Sequence, residues 1–392
     1  LKKNIFNIAK GRTCSSWSLF TLTYQKIQIK KEVSMKESTR IAGAFIGLIV
    51  GAGFASGQEV LQFFTNFGWV SILGACVATI LFAFLGMNLT QLGSRLQTNS
   101  HKNVIYYICG SYLGIVVDII ITFFLFGVTA VMMAGAGSIF EQQFGIPSII
   151  GNIIMTVLTI VTVCFNIQRV ISIIGLVTPF LLVLVIIIAV YSFITMDMGF
   201  NELQQIADKQ NAAASNWGLG ALLYVSYNIA AGAAMLIVMG GTIKDEKKAG
   251  FGGIFGGIGL GILILLINLG MLTKLNKITD VDMPILFLAN EISPIFGMLM
   301  SIVLLGMIYN TAVGMLYAFT ARVIKPELPT FKMFVVLFGI VAFSASFIGF
   351  TKLVGTIYPI TGYLGFILIA SITITWLRGK QRMKNAITKI DA

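Results

Sequence analysis

Long apolar runs alternate with short polar interruptions from about residue 41 to residue 377. Ten such runs stand out, at 41–65, 69–92, 111–140, 147–166, 169–194, 216–241, 249–273, 294–323, 331–350 and 353–377. Roughly 20 apolar residues in a helix cross the ~30 Å hydrocarbon core of a bilayer, and each run meets that length with allowance for tilt. The pattern predicts an all-α polytopic membrane protein with ten transmembrane helices. A short extra helix is expected at Pro284–Ile292, just before the eighth run. The longest connection between runs, 195–215, spans about twenty residues and leaves no room for a soluble domain.

Composition supports the same class. Hydrophobic residues make up 57% of the chain, charged residues only 11%, and mean hydropathy is +0.92, against about 25% charged residues in a soluble domain. The net charge of +12 does not point to nucleic acid, because most of the basic residues fall between apolar runs on one side of the predicted bilayer. Lys36 and Arg40, Arg95 and Lys102, Arg169, Lys244, Lys247 and Lys248, Arg322, Lys325 and Lys332, and Arg378, Lys380, Arg382 and Lys384 all fall on one side. The other side holds Lys209, Lys274, Lys277 and Lys352 against Glu141, Asp197, Glu202, Asp208, Asp280, Asp282 and Glu291. The positive-inside rule places both termini in the cytoplasm of a multi-pass cell-membrane protein, as an even number of spans requires. The four cysteines are scattered without a CxxC pair and the single histidine, His101, sits between runs, so the residue pattern offers no enzyme chemistry and no cofactor beyond a coupling ion.

The first 34 residues stand apart. They hold seven Lys or Arg and no run able to span. Lys30-Lys31-Glu32-Val33 matches a message resembling a ribosome-binding sequence just ahead of Met35, so translation is expected to start at Met35. Residues 1–34 are then a non-native extension, and the alternative to a Met35 start is a real, disordered basic tail on the cytoplasmic side. Residues 35–382 form a single transmembrane domain, and 383–392 a cytoplasmic tail.

Within that domain the residues suggest two halves, 39–194 and 216–378. The stretch Gly51-Ala52-Gly53-Phe54-Ala55-Ser56-Gly57-Gln58-Glu59 in the first run has a counterpart in Tyr227-Asn228-Ile229-Ala230-Ala231-Gly232-Ala233 in the sixth, and Pro179 in the fifth has one in Pro359 in the tenth. Five spans per half is odd, so the halves enter the membrane from opposite sides. The expectation is a 5+5 inverted repeat with helices 1 and 6 interrupted, the two breaks facing each other near the midplane. Paired breaks of that kind mark the substrate site of secondary transporters, and continuous helical hydrogen bonding through either would weigh against a transporter.

The first break carries the most chemistry. Three glycines in seven residues are poor helix formers. Backbone freed at membrane depth is tolerated only where protein, a water-filled cavity or a ligand satisfies it. The new half-helix, expected to start near Ser56, offers amides to a substrate carboxylate, and carbonyls freed before it suit an ammonium group or a cation. Gly51, Ala52, Gly53, Phe54, Ala55, Ser56 and Gly57 are therefore candidate substrate-binding residues. The competing reading is close helix packing through Gly43, Gly47 and Gly51. Glu59 follows at once. It binds a substrate amine, carries a coupling proton or anchors the half-helix, unless it lies hydrated in an outer vestibule. Asp118 in the third run pairs with Arg169 at the start of the fifth as a candidate gate, or else is a solvated edge residue. The glycine run from Gly250 to Gly261 in the seventh reads as packing, and Phe- and Met-rich faces elsewhere as lipid contact or core.

The motif from Ile49 to Phe64 resembles that of YkvI-type bacterial membrane proteins, grouped as amino-acid permeases of the amino acid–polyamine–organocation superfamily, and the five-plus-five arrangement resembles the LeuT fold. The resemblance covers Met35 to about Arg382. It implies that Tyr227, Asn228 and Gly232 line the substrate pocket. It also implies a sodium site from the carbonyls of Gly47 and Val50 with the side chains of Asn310 and Thr311, although interhelical hydrogen bonding accounts for that pair equally well. The expected function is a secondary active transporter of an amino acid or similar small zwitterion, coupled to Na⁺ or H⁺. The alternative is a transporter-like receptor that binds an amino acid without moving it. The expected partners are the small-molecule substrate and the lipid bilayer, not nucleic acid.

Overall fold

Apolar runs this long bury their backbone polar groups by coiling, and helices result throughout. The computed structural model describes residues 37–97, 101–165, 177–196 and 199–390, and every regular element among them is helical. In chain order these are α1 (37–49), α2 (Ala52–Ser56), α3 (Gln58–Phe63), a 3₁₀ segment (Thr65–Val70), α4 (Ser71–Leu96), α5 (His101–Phe144), α6 (Ser148–Phe165), α7 (Val177–Ile194), α8 (Phe200–Ala207), α9 (Trp217–Gly241), α10 (Glu246–Leu272), α11 (Leu275–Ile278), α12 (Pro284–Ile292), α13 (Pro294–Val323), α14 (Phe331–Ser346) and α15 (Phe350–Ile390). Among the described residues seven helices are long and apolar enough to cross a membrane, and two shorter apolar ones cover Pro179–Ile194 and Phe331–Ser346. With the broken first segment these are compatible with ten spans. The expected extra helix at Pro284–Ile292 is α12.

The helices sort by what they touch. α4 packs against α9 and α10, while α5 packs against α6, α13 and α15, and α15 also reaches α9. Small residues let α4 and α10 approach closely: a Cβ added at Gly253 would come within 2.4 Å of the Gly86 backbone. The glycine run in α10 is a packing surface. On the outside of α6, Ile149, Ile153, Val157 and Val161 recur every four residues and are 45–53% exposed, while Asn152, Thr156 and Thr159 face inward. This is an inside-out amphipathic helix, stable only where lipid covers the apolar stripe.

Two expectations about interruptions need correction. The first segment is broken twice, not once. α1 ends at residue 49 and Gly51 is extended, with φ −94° and ψ −172°. Residues 52–56, expected to be irregular, form the five-residue α2. A second break falls at Gly57, whose φ of 84° is open to glycine at little cost. The sixth span is not broken at all, since α9 runs unbroken from Trp217 to Gly241. Its one glycine in the suspect stretch, Gly232, sits among Ala230, Ala231, Ala233 and Ala234. A lone glycine costs only ~1 kcal/mol in a helix, and alanine is the best helix former. Asn228 donates its side-chain amide back to the Tyr224 carbonyl one turn earlier, at 3.0 Å, so it needs no freed backbone.

One end of the bundle is tied down by polar contacts. The carboxylate of Asp282, just ahead of α12, accepts hydrogen bonds from Ser138 Oγ of α5 at 2.7 Å and Thr351 Oγ1 of α15 at 2.5 Å. Gln142 of α5 donates to the Met283 carbonyl and accepts from the Met283 amide, at 3.0 and 3.1 Å. Gln62 of α3 donates to the Thr351 carbonyl at 3.0 Å. The opposite end carries residue 37 and the last turns of α9 and α13.

Candidate functional site

Where the chain breaks between α1 and α2, α5, α9, α13 and α15 converge on a cavity of about 340 Å³. Its floor is the break itself, with Gly47, Val50, Gly51, Ala52 and Gly53 on the wall. α9 contributes Tyr227, Asn228 and Gly232, α13 contributes Asn310 and Thr311, and Glu59 projects in from α3.

Glu59 is 6% exposed, so it does not lie in a hydrated vestibule. Its Oε2 accepts a hydrogen bond from the Tyr227 hydroxyl at 2.6 Å. The carboxylate lies directly against residue 53: a Cβ on Gly53 would sit 2.0 Å from Glu59 Oε1. The Tyr227 ring stacks on Tyr358 of α15 with centroids 4.8 Å apart, and Phe124 of α5 touches both at 6.1 and 5.9 Å. Behind this trio Tyr224 packs against Phe63, Phe64 and Phe82. Tyr224, Phe63 and Phe64 are fully buried. The rings form a solid roof between the cavity and the α12 end.

The other end of the cavity is open. Gly47 on α1 and Met235 on α9 are exposed, and a Cβ added at Gly43 or Gly314 would meet nothing within 4 Å. The reading of Gly43, Gly47 and Gly51 as a packing stripe is therefore overturned at Gly43. The cavity reaches the surface toward the α1 end and is sealed toward the α12 end.

Other sequence-derived candidates separate into three groups. Phe54, Ala55, Ser56 and Gly57 do not line the cavity. They face away, because α2 is a regular turn whose contacts are with α12 and α13, and a Cβ on Gly57 would meet Ile285 at 2.7 Å. Gly47, Val50, Asn310 and Thr311 all line it. There the Gly51 amide turns to the Ile49 carbonyl at 2.7 Å, which releases the Gly47 carbonyl from its usual partner four residues on. A freed carbonyl, the backbone of Val50 in the break and two side-chain oxygens form a set of hard ligands that fits a small cation. Asp118 pairs with Arg322 of α13 at 2.5 Å, while its expected partner Arg169 lies outside the described residues. Among the residues that sequence reading missed are Phe124, Tyr358, Met132, Met235, Met307 and Met315, all on the cavity wall. Only their three-dimensional convergence distinguishes them from the lipid-facing or core residues they resemble in sequence.

The chain matches no protein-family model. It is 28% identical over 342 residues to the uncharacterized membrane protein YkvI of Bacillus subtilis (strain 168), covering 87% of this chain and 96% of that one. It is 28% identical over 334 residues to the uncharacterized protein YyaD of the same organism, covering 84% and 94%. Among solved structures it superposes on MhsT in complex with L-phenylalanine with a TM-score of 0.58 at 16% identity, over 83% of this chain and 87% of that one. The inward-facing conformation of Mhp1 gives 0.56 at 13%, over 84% and 73%. The substrate-bound outward-open state of a Na⁺-coupled sialic acid symporter gives 0.52 at 15%, over 85% and 78%. At these identities the likeness establishes the fold.

Proposed function

We infer that the chain, which is similar to the membrane protein YkvI and to YyaD and has the LeuT-like fold, is a secondary active transporter. Its substrate on this reading is an amino acid or similar small zwitterion moved by alternating access. The observation that carries the reading is the cavity at the broken first helix, roofed by aromatic rings on one side and open on the other. A site reachable from one face at a time is what alternating access requires. The continuity of α9 counts against this reading, because breaks were expected in both the first and the sixth span.

Coupling to Na⁺ draws support from the oxygen set of Gly47, Val50, Asn310 and Thr311. Coupling to H⁺ draws support from the buried carboxylate of Glu59. With residue 37 and the open mouth on the same side, and the positive-inside rule placing that side in the cytoplasm of a cell-membrane protein, the conformation is inward-facing.

Uptake into proteoliposomes tests the reading. Labelled amino acids should accumulate only under an imposed Na⁺ or H⁺ gradient. If Na⁺ drives it, Thr311→Ala and Asn310→Ala should abolish the Na⁺ dependence while leaving exchange without a gradient. Binding without accumulation under either gradient would instead favour a receptor.

A further inference from the structure

The polar groups of the cavity are few and one-sided. We propose that its substrate is a singly charged ammonium compound with an apolar body, held ammonium-first. The charged end meets Glu59 under the aromatic roof, and the body runs past the methionines toward the mouth between Met235 and Met315. The proposal rests on the transporter reading for the identity of the site and departs from it on the substrate, which here is a monoamine and not a zwitterion.

Three observations carry it. Among the described residues Glu59 is the only charged one on the cavity wall, and none of those lining it is Lys or Arg. Tyr227 serves one carboxylate oxygen. An ionised carboxylate at this depth calls for a positive partner, and an ammonium supplies it.

The second observation concerns the donors a substrate carboxylate would need. Asn228 is committed to the Tyr224 carbonyl at 3.0 Å and Thr311 to the Met307 carbonyl at 3.0 Å. Among the described residues the Asn310 amide is then a lining side-chain donor with no hydrogen bond inside the protein, so a substrate carboxylate would meet a neutral amide where an ammonium meets a full negative charge.

The third is the rest of the wall. Phe124, Tyr227, Tyr358, Met132, Met235, Met307 and Met315 offer rings and thioethers. Thioethers on flexible stems adapt to varied apolar shapes, and aromatic rings beside a carboxylate favour an organic cation. A second positive charge on the substrate would find no second carboxylate.

The test is ligand binding by the purified full chain in detergent, with three probes. 2-Phenylethylamine carries the ammonium and body, 3-phenylpropionate the body with a carboxylate instead, and 1,4-diaminobutane two ammonium groups. Only the first should bind and raise the melting temperature. Glu59→Gln should weaken it about 10- to 100-fold, the value of a hydrogen bond to a charged group. Tyr227→Phe, which keeps the ring, should weaken it less. Equal or tighter binding of 3-phenylpropionate or of the diamine, no binding of the amine, or unchanged affinity in Glu59→Gln would each overturn the proposal. Should Glu59→Gln fail to fold, the three probes on the unmutated protein decide alone. Amine binding without uptake into proteoliposomes would sink the transport reading and leave this one standing. Ion-driven uptake of a substrate lacking an ammonium would do the reverse.

Discussion

Glu59 occupies its place because residue 53 has no side chain. With a Cβ at that position 2.0 Å from Glu59 Oε1, Gly53→Ala must displace the carboxylate from Tyr227. Overpacking of this kind costs about 1–3 kcal/mol, and the melting temperature in detergent should fall accordingly. In a Glu59→Ala background the clash is gone, and the same substitution should cost much less, a coupling that a double-mutant cycle reads directly. Gly43→Ala and Gly314→Ala, which meet open space inside helices, should not lower stability and should raise it by up to ~1 kcal/mol through helix propensity. The ion pair between Asp118 and Arg322 is a different case. Its side chains are 40% and 20% exposed, so Asp118→Asn should cost no more than ~1 kcal/mol. A larger loss, recovered on exchanging the two charges, would show that the pair closes a gate rather than decorating an edge.

At the scale of elements, the first span and α9 show how far composition predicts a break. Gly51, Gly53 and Gly57 lie within seven residues, and two of the three mark real discontinuities. In α9 an Asn and a Gly suggested the same, but flanking alanines and the bond from Asn228 to Tyr224 keep the helix whole. α12 is the element whose role was least visible, since its anchor depends on Asp282 meeting Ser138 and Thr351 from residues 144 and 69 positions away. Removing both hydrogen bonds with Asp282→Ala should favour opening at the α12 end by ~1–3 kcal/mol. A cysteine at buried Gln62, in a chain with its native cysteines replaced, should then react with a polar maleimide roughly tenfold faster or more. No change in rate would show that the aromatic roof alone holds that end shut.

Across the whole molecule, the cavity opens at the end that carries α1's first residues and the last turn of α13. If that end is cytoplasmic, a single cysteine at Gly314 should be labelled by a membrane-impermeant maleimide in inside-out vesicles and spared in intact cells. Labelling from outside would reverse either the orientation or the facing state. The helical class, the presence of apolar runs long enough to cross a membrane, the break after α1 and a carboxylate close behind it could all be read from the sequence itself. Hydrophobic run length, glycine density and a lone carboxylate at membrane depth are local properties, decided by backbone hydrogen bonding and desolvation within a few residues. Only the tertiary structure decided that α9 stays whole, that Phe54, Ala55, Ser56 and Gly57 turn from the cavity, that Asp118 faces Arg322, and that Tyr358, Phe124 and four methionines complete the wall. Those outcomes depend on which helix faces reach each other across the bundle. That is set by the packing of residues more than a hundred positions apart, for which an apolar side chain carries no local mark distinguishing lipid, core and cavity.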